Sequence, residues 1–153
     1  MNQPATAFAP IHKSISVPAS PARAFKFYTS HVHEWWPLQT HSVGQAEATG
    51  IVFGSDIGGQ IVESLADGSQ HVWGTVTLWD PPNRVAHTWH AGAPQEEATD
   101  VEVTFTAEGA DRTRVEVTHT GWERRSGDPA GIRAGYITGW DTVLGAYPAR
   151  IAG

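Results

Sequence analysis

The chain has 153 residues, 40% hydrophobic and 17% charged, with 16 glycines and 10 prolines: enough for a single domain over residues 1–153, and better suited to a turn-rich β protein than to a helical bundle. A net charge of −6 with no basic cluster argues against a nucleic-acid partner. The absence of cysteine excludes disulfides, thiolate metal sites and a thiol nucleophile, and with no signal peptide and no apolar run long enough for a bilayer the expectation is a cytoplasmic protein off the membrane.

Residues 1–10 are Ala- and Pro-rich and read as a loose start. Ile11 to Val17 alternates apolar and polar positions as a first strand. Ser20 then caps a helix that begins at Pro21, where the missing N–H costs nothing, and runs to about Ser30. His31 to Pro37 reads as a second short helical turn at a corner beside the sheet. Strands follow over 51–53 and 60–65, and Asp67-Gly68 sets the turn into a strand over 70–79. Asp80-Pro81-Pro82-Asn83 forces another turn before the strand 85–90. Alternation then predicts strands over 99–106 and 112–120, with Val101, Val103, Phe105, Val115, Val117 and His119 inward. Trp122 to Pro129 reads as a polar loop. From Ala130 the period changes, and Ile132, Tyr136, Trp140, Val143, Leu144, Tyr147 and Ile151 mark one face of a long helix. Gly135, Gly139 and Gly145 each cost that helix about 1 kcal/mol against Ala, so it must rely on packing, and Pro148 is expected to end or bend it near Tyr147.

This order makes an α+β fold, a curved antiparallel sheet with one long C-terminal helix to grip and two short helices after the first strand. A cavity between sheet and helix is the natural place for a ligand. Trp89, Phe105, Tyr136 and Trp140 face inward, as pocket wall or as plain core. Val103 and Leu144 belong to the same inner faces. Of Trp35 and Trp36 at the corner, one is expected to line a mouth and the other to be buried. Trp73 and Trp79 alternate against Val76 and Leu78, which puts them on the outer face or at a dimer contact. His87 and His119 occupy inward slots, as satisfied structural imidazoles or as groups that bind a ligand or move a proton. Glu63 reads as solvated. His31 and His33, with no third ligand at a fixed spacing, do not make a metal site. No nucleophile elbow, P-loop or dinucleotide fingerprint is present, so no cofactor is implied.

Val17-Pro18-Ala19-Ser20-Pro21, Trp35-Trp36-Pro37, Gly58-Gly59, Asp67-Gly68, Trp73-Gly74, Pro81-Pro82, Thr88-Trp89, the run 115–120 and Gly139-Trp140 occur in an order that resembles the START/Bet v 1 helix-grip (SRPBCC) superfamily, in the bacterial branch named after the activator of Hsp90 ATPase homologue 1. The resemblance implies a helix-grip domain with an apolar pocket, often dimeric, whose members bind small hydrophobic molecules or have no assigned activity; the branch name links it to the stress response. It implies no particular reaction. Three functions follow as expectations. The leading one is non-catalytic binding of a small apolar or aromatic ligand. The second is an enzyme of cyclase, aromatase or hydrolase kind that uses cavity histidines. The third is an Hsp90-activator-like contact module bearing Trp73 and Trp79, which is not favoured because the chain lacks the additional N-terminal region of those activators.

Overall fold

A computed structural model describes residues 8–152; of the expected loose start, residues 1–7 lie outside the described residues. Seven strands form one antiparallel sheet: β1 (Ile11–Val17), β2 (Ala48–Phe53), β3 (Gln60–Leu65), β4 (Gln70–Asp80), β5 (Arg84–Trp89), β6 (Thr99–Gly109) and β7 (Arg112–Thr120). Their order is β1-β7-β6-β5-β4-β3-β2. Strands β2 to β7 are a meander of hairpins, and β1 completes the far edge by pairing with β7, Ile11 opposite His119 and Val17 opposite Thr113. Helices α1 (Pro21–Thr29) and α2 (Val32–Trp35) follow β1, and α3 (Pro129–Ala152) closes the described chain. The curled sheet and long final helix are the helix-grip architecture.

Local chemistry sets these boundaries. The Ser20 side chain accepts from the Arg23 N–H with Pro21 in the first turn, so α1 starts where a cap and a preset φ coincide. Gly68 turns the β3–β4 hairpin at φ +88°, a conformation that glycine adopts without steric cost. Along β6 and β7 the period-2 pattern holds, with Val101, Val103, Phe105, Val115, Val117 and His119 all buried.

Four expectations need correction. Trp73 is 1% exposed and sits in the core, and Trp79 is half-buried with its ring edge-on to Phe25 at 5.0 Å. Two register shifts explain both. Ile61 faces Gly74 while Val62 faces Val72, so β4 carries an extra residue at Trp73. Val76 faces His87 while Leu78 faces Ala86, so it carries another at Thr77. Each bulge turns the following side chains to the other face. Glu63 is fully buried rather than solvated. Trp122, expected in a polar loop, is fully buried in a single helical turn spanning Trp122–Arg124. Pro148 does not end α3: buried Ile151 and the bond from Arg23 Nη2 to the Ile151 carbonyl (2.6 Å) hold the last turn in place.

The core has two parts. Under α1, Phe25, Tyr28, Trp35, Phe53, Phe105 and Tyr147 close-pack, with ring centroids 4.9–6.4 Å apart. Beyond α2 the packing opens into a cavity.

Candidate functional site

A cavity of about 650 Å³ lies between the concave face of the sheet and α3 and opens to solvent. Its size is that of a ligand pocket, and its lining is mainly apolar. On the sheet side stand Trp73 from β4 and Trp89 from β5, joined by Trp36 from the end of α2 and Trp140 from α3. These four indoles touch in series: Trp36 lies 5.3 Å from Trp73, 5.6 Å from Trp89 and 6.1 Å from Trp140, and Trp89 lies 6.2 Å from Trp140. Each tilted or edge-on pair adds about 0.5–1.5 kcal/mol beyond simple burial.

Each indole N–H is held by the protein itself. Trp36 donates to the His41 carbonyl (2.7 Å), Trp73 to Glu63 (2.9 Å), Trp89 to the Tyr136 hydroxyl (2.9 Å) and Trp140 to His119 Nδ1 (3.0 Å). The rings are therefore fixed in orientation. On the helix side, Gly131, Gly135 and Gly139 recur at one-turn intervals along the lining. A Cβ on Gly135 or Gly139 would meet nothing within 4 Å, so both positions border open space, Gly135 exposed and Gly139 half-buried.

The mouth is formed by residues 41–43, in the loop between α2 and β2. Glu63 ties this loop to the wall. Its carboxylate, wholly buried on β3, accepts from the N–H groups of Val43 (2.9 Å) and Gly44 (2.8 Å) as well as from Trp73. Three donors on a buried carboxylate offset its loss of water.

The histidines singled out from sequence lie behind this wall, not in it. His119 is fully buried, and its hydrogen bonds define its tautomer: Nδ1 accepts from Trp140, so Nε2 carries the proton and donates to Thr99 Oγ1 (2.6 Å), which donates in turn to the Trp89 carbonyl (3.1 Å). Burial pushes its pKa down to about 3. His87, 1% exposed, lies edge-on to Phe53 at 5.4 Å, and its Nδ1 bonds the Thr88 carbonyl (2.9 Å). Burial lowers it to about 4. Of the two readings the sequence left open, a satisfied structural imidazole or a group serving a ligand, the hydrogen bonds and burial of both rings fit the first, and neither lines the cavity.

Of the other residues singled out from sequence, Trp36, Trp89, Tyr136 and Trp140 line the cavity; Trp35, Val103, Phe105 and Leu144 are buried in the packed core and do not. Sequence reasoning missed Trp73, hidden by the bulge, and His41, whose loop carries no periodicity. It also missed the glycine face of α3, although the spacing 131, 135, 139 was there to read. Among the described residues no group of three or more His, Asp or Glu could hold a metal ion, and His31 instead bonds Glu34. No helix among them is long and apolar enough to cross a membrane.

The sequence profile of the Activator of Hsp90 ATPase homolog 1-like protein family matches residues 18–146. No curated protein sequence matches. Among solved structures, the chain is similar to an anthrahydroquino-gamma-pyrone synthase, Txn09, complexed with SUM: 32% identity over 83% of this chain and 86% of that one, TM-score 0.61. It is also similar to the self-sacrificing resistance protein CalC from Micromonospora echinospora, at 27% identity, 95% coverage of both chains and TM-score 0.70. The Aha1 dimer from Colwellia psychrerythraea, at 20% identity, 92% and 93% coverage and TM-score 0.65, shares the fold.

Proposed function

The chain belongs to the Activator of Hsp90 ATPase homolog 1-like family within the SRPBCC superfamily, and from that premise we propose that it binds a small aromatic molecule in the cavity between sheet and α3. The observation that carries this reading is the open lining of four oriented tryptophans faced by a helix stripped of side chains at Gly135 and Gly139. Flat apolar faces gain by stacking and by leaving water, and indole N–H groups already paired within the protein lose nothing when water departs. The 32% identity to an anthrahydroquino-gamma-pyrone synthase adds support.

The same synthase favours a second reading, an enzyme acting on such a molecule. In this chain the proton-transfer group for that reading is His41 at the mouth, since His87 and His119 are sealed. A contact surface built on Trp73 and Trp79, the Hsp90-activator reading, has no support in a Trp73 that is buried.

The test is equilibrium dialysis of naphthalene against the purified protein and its Gly139→Leu variant, with native mass spectrometry of both for any small molecule they retain. Naphthalene should bind the parent, and the leucine should weaken that binding at least tenfold while the protein stays folded. Equal binding by parent and variant, or none by either, would overturn the cavity reading.

A further inference from the structure

The hydrogen bonds of the lining leave a specific remainder. The four indole N–H groups are all committed within the protein, and so are the hydroxyls at the rim: Ser42 donates to the Leu38 carbonyl (2.6 Å), Thr138 to Gly135 (3.1 Å) and Thr142 to Thr138 (3.3 Å). Two side chains are different. The Tyr136 oxygen accepts from Trp89, which leaves the tyrosine's own proton without an acceptor among the described residues. His41 has Nδ1 beside Thr40 Oγ1 at 2.8 Å and its backbone carbonyl bound to Trp36, so its ring is anchored at one nitrogen while Nε2 has no partner among those residues. Both side chains line the cavity.

We propose that Tyr136 and His41 are the polar recognition groups of the cavity and that its ligand is a planar aromatic bearing neutral oxygen substituents, a phenol or a hydroxyquinone. This deepens, and rests on, the reading of the cavity as an aromatic site. Tyr136 offers a proton and so selects an acceptor, a carbonyl or hydroxyl oxygen. Nε2 of His41 is a donor in one tautomer and an acceptor in the other, and a hydroxyl satisfies either. Charged ligands are disfavoured. No Lys or Arg lines the cavity to meet a carboxylate or phosphate, the chain is itself net negative at −6, and no Asp or Glu lines it to meet a cation. A bare hydrocarbon would fill the volume but strand the Tyr136 proton, a loss each time water is displaced without replacement. An oxygenated ring restores that bond.

The experiment is equilibrium dialysis with naphthalene and 2-naphthol, on the parent protein and on Tyr136→Phe and His41→Phe. The parent should bind 2-naphthol about fivefold or more tighter than naphthalene, the range one or two neutral hydrogen bonds provide. Either phenylalanine should shrink that preference, by weakening 2-naphthol and, because no polar group is then stranded at that position, by tightening naphthalene if it changes it at all. His41→Phe keeps the test decisive should Tyr136→Phe, which strands the Trp89 N–H, fail to fold. Equal binding of the two probes by the parent, or a preference that both variants retain, would overturn the assignment and leave the cavity reading standing. Failure of both probes to bind would remove the two together.

Discussion

Charge is scarce in the interior, and each buried polar side chain shows what it costs to keep one there. His87 and His119 each bind a proton below pH about 6.5 when the chain is unfolded. Folded, they do so only near about 4 and about 3, because burial disfavours the charged ring. Between those values the unfolded state holds more protons, so stability is full above pH 6.5 and falls as the pH drops toward 4, by about 1.4 kcal/mol per pH unit for each histidine. Urea unfolding at pH 7.0 and 5.0 should therefore show a clear drop, and His87→Phe, whose ring already packs on Phe53, should lessen it; a flat profile in the parent would contradict the buried neutral imidazoles. Glu63 makes the complementary case. Glu63 Oε1 accepts from Val43 and Trp73 and Oε2 from Gly44, so the NH2 of Glu63→Gln meets a donor whichever oxygen it replaces, in a dry site. The expected loss is about 1–3 kcal/mol in the same urea measurement. The burial of Glu63 was not legible in the sequence, since it depends on N–H groups of a loop 19 and 20 residues away, Gly44 and Val43; for His119 a satisfied imidazole was one of two readings, and what decides between them, Trp140 and Thr99, lies 21 and 20 residues off.

Among the elements, the strands were legible wherever their side chains alternate without interruption. Strands β6 and β7 carry Val101, Val103, Phe105 and Val115, Val117, His119 inward as the period requires. Strand β4 defeats that logic because two extra residues, at Trp73 and Thr77, each reverse the faces, and local composition does not announce a bulge. Gly74 is the nearest thing to a signal there: a Cβ on it would run into the Thr88 carbonyl of β5, a close approach that only glycine allows. In α3 the glycines are plain in the sequence but their purpose is not. As helix interior residues they cost about 1 kcal/mol each, which makes sense only once the empty space beside Gly135 and Gly139 is seen. Alanine at both positions should accordingly stabilise the protein, by about 1–2 kcal/mol in urea unfolding, while weakening naphthalene binding. Destabilisation would mean that the space is not free.

At the scale of the whole molecule, one aromatic network runs from a filled end to an empty one. Trp35, packed on Tyr28 at 5.0 Å and on Tyr147 at 4.9 Å, belongs to the solid part; Trp36, 5.5 Å from Trp35, belongs to the wall of the cavity. The adjacent pair at the end of α2 is thus the seam between stability and binding. The loop that carries His41 leaves this seam and returns to the wall through Glu63 and Trp73, so mouth, wall and sheet are one hydrogen-bonded unit. A ligand seated there binds the folded state and has no counterpart in the unfolded chain, where these residues are scattered over positions 36 to 140. Mass action then requires a rise in thermal stability. At a ligand concentration of one hundred times its dissociation constant the gain is about 2.7 kcal/mol, which for a chain of this size raises Tm by roughly 5–10 °C. Differential scanning calorimetry with saturating 2-naphthol should show that rise in the parent and little of it in Gly139→Leu. A rise of equal size in both would place the binding somewhere other than between sheet and helix, and the tryptophan wall would then be core that happens to face water.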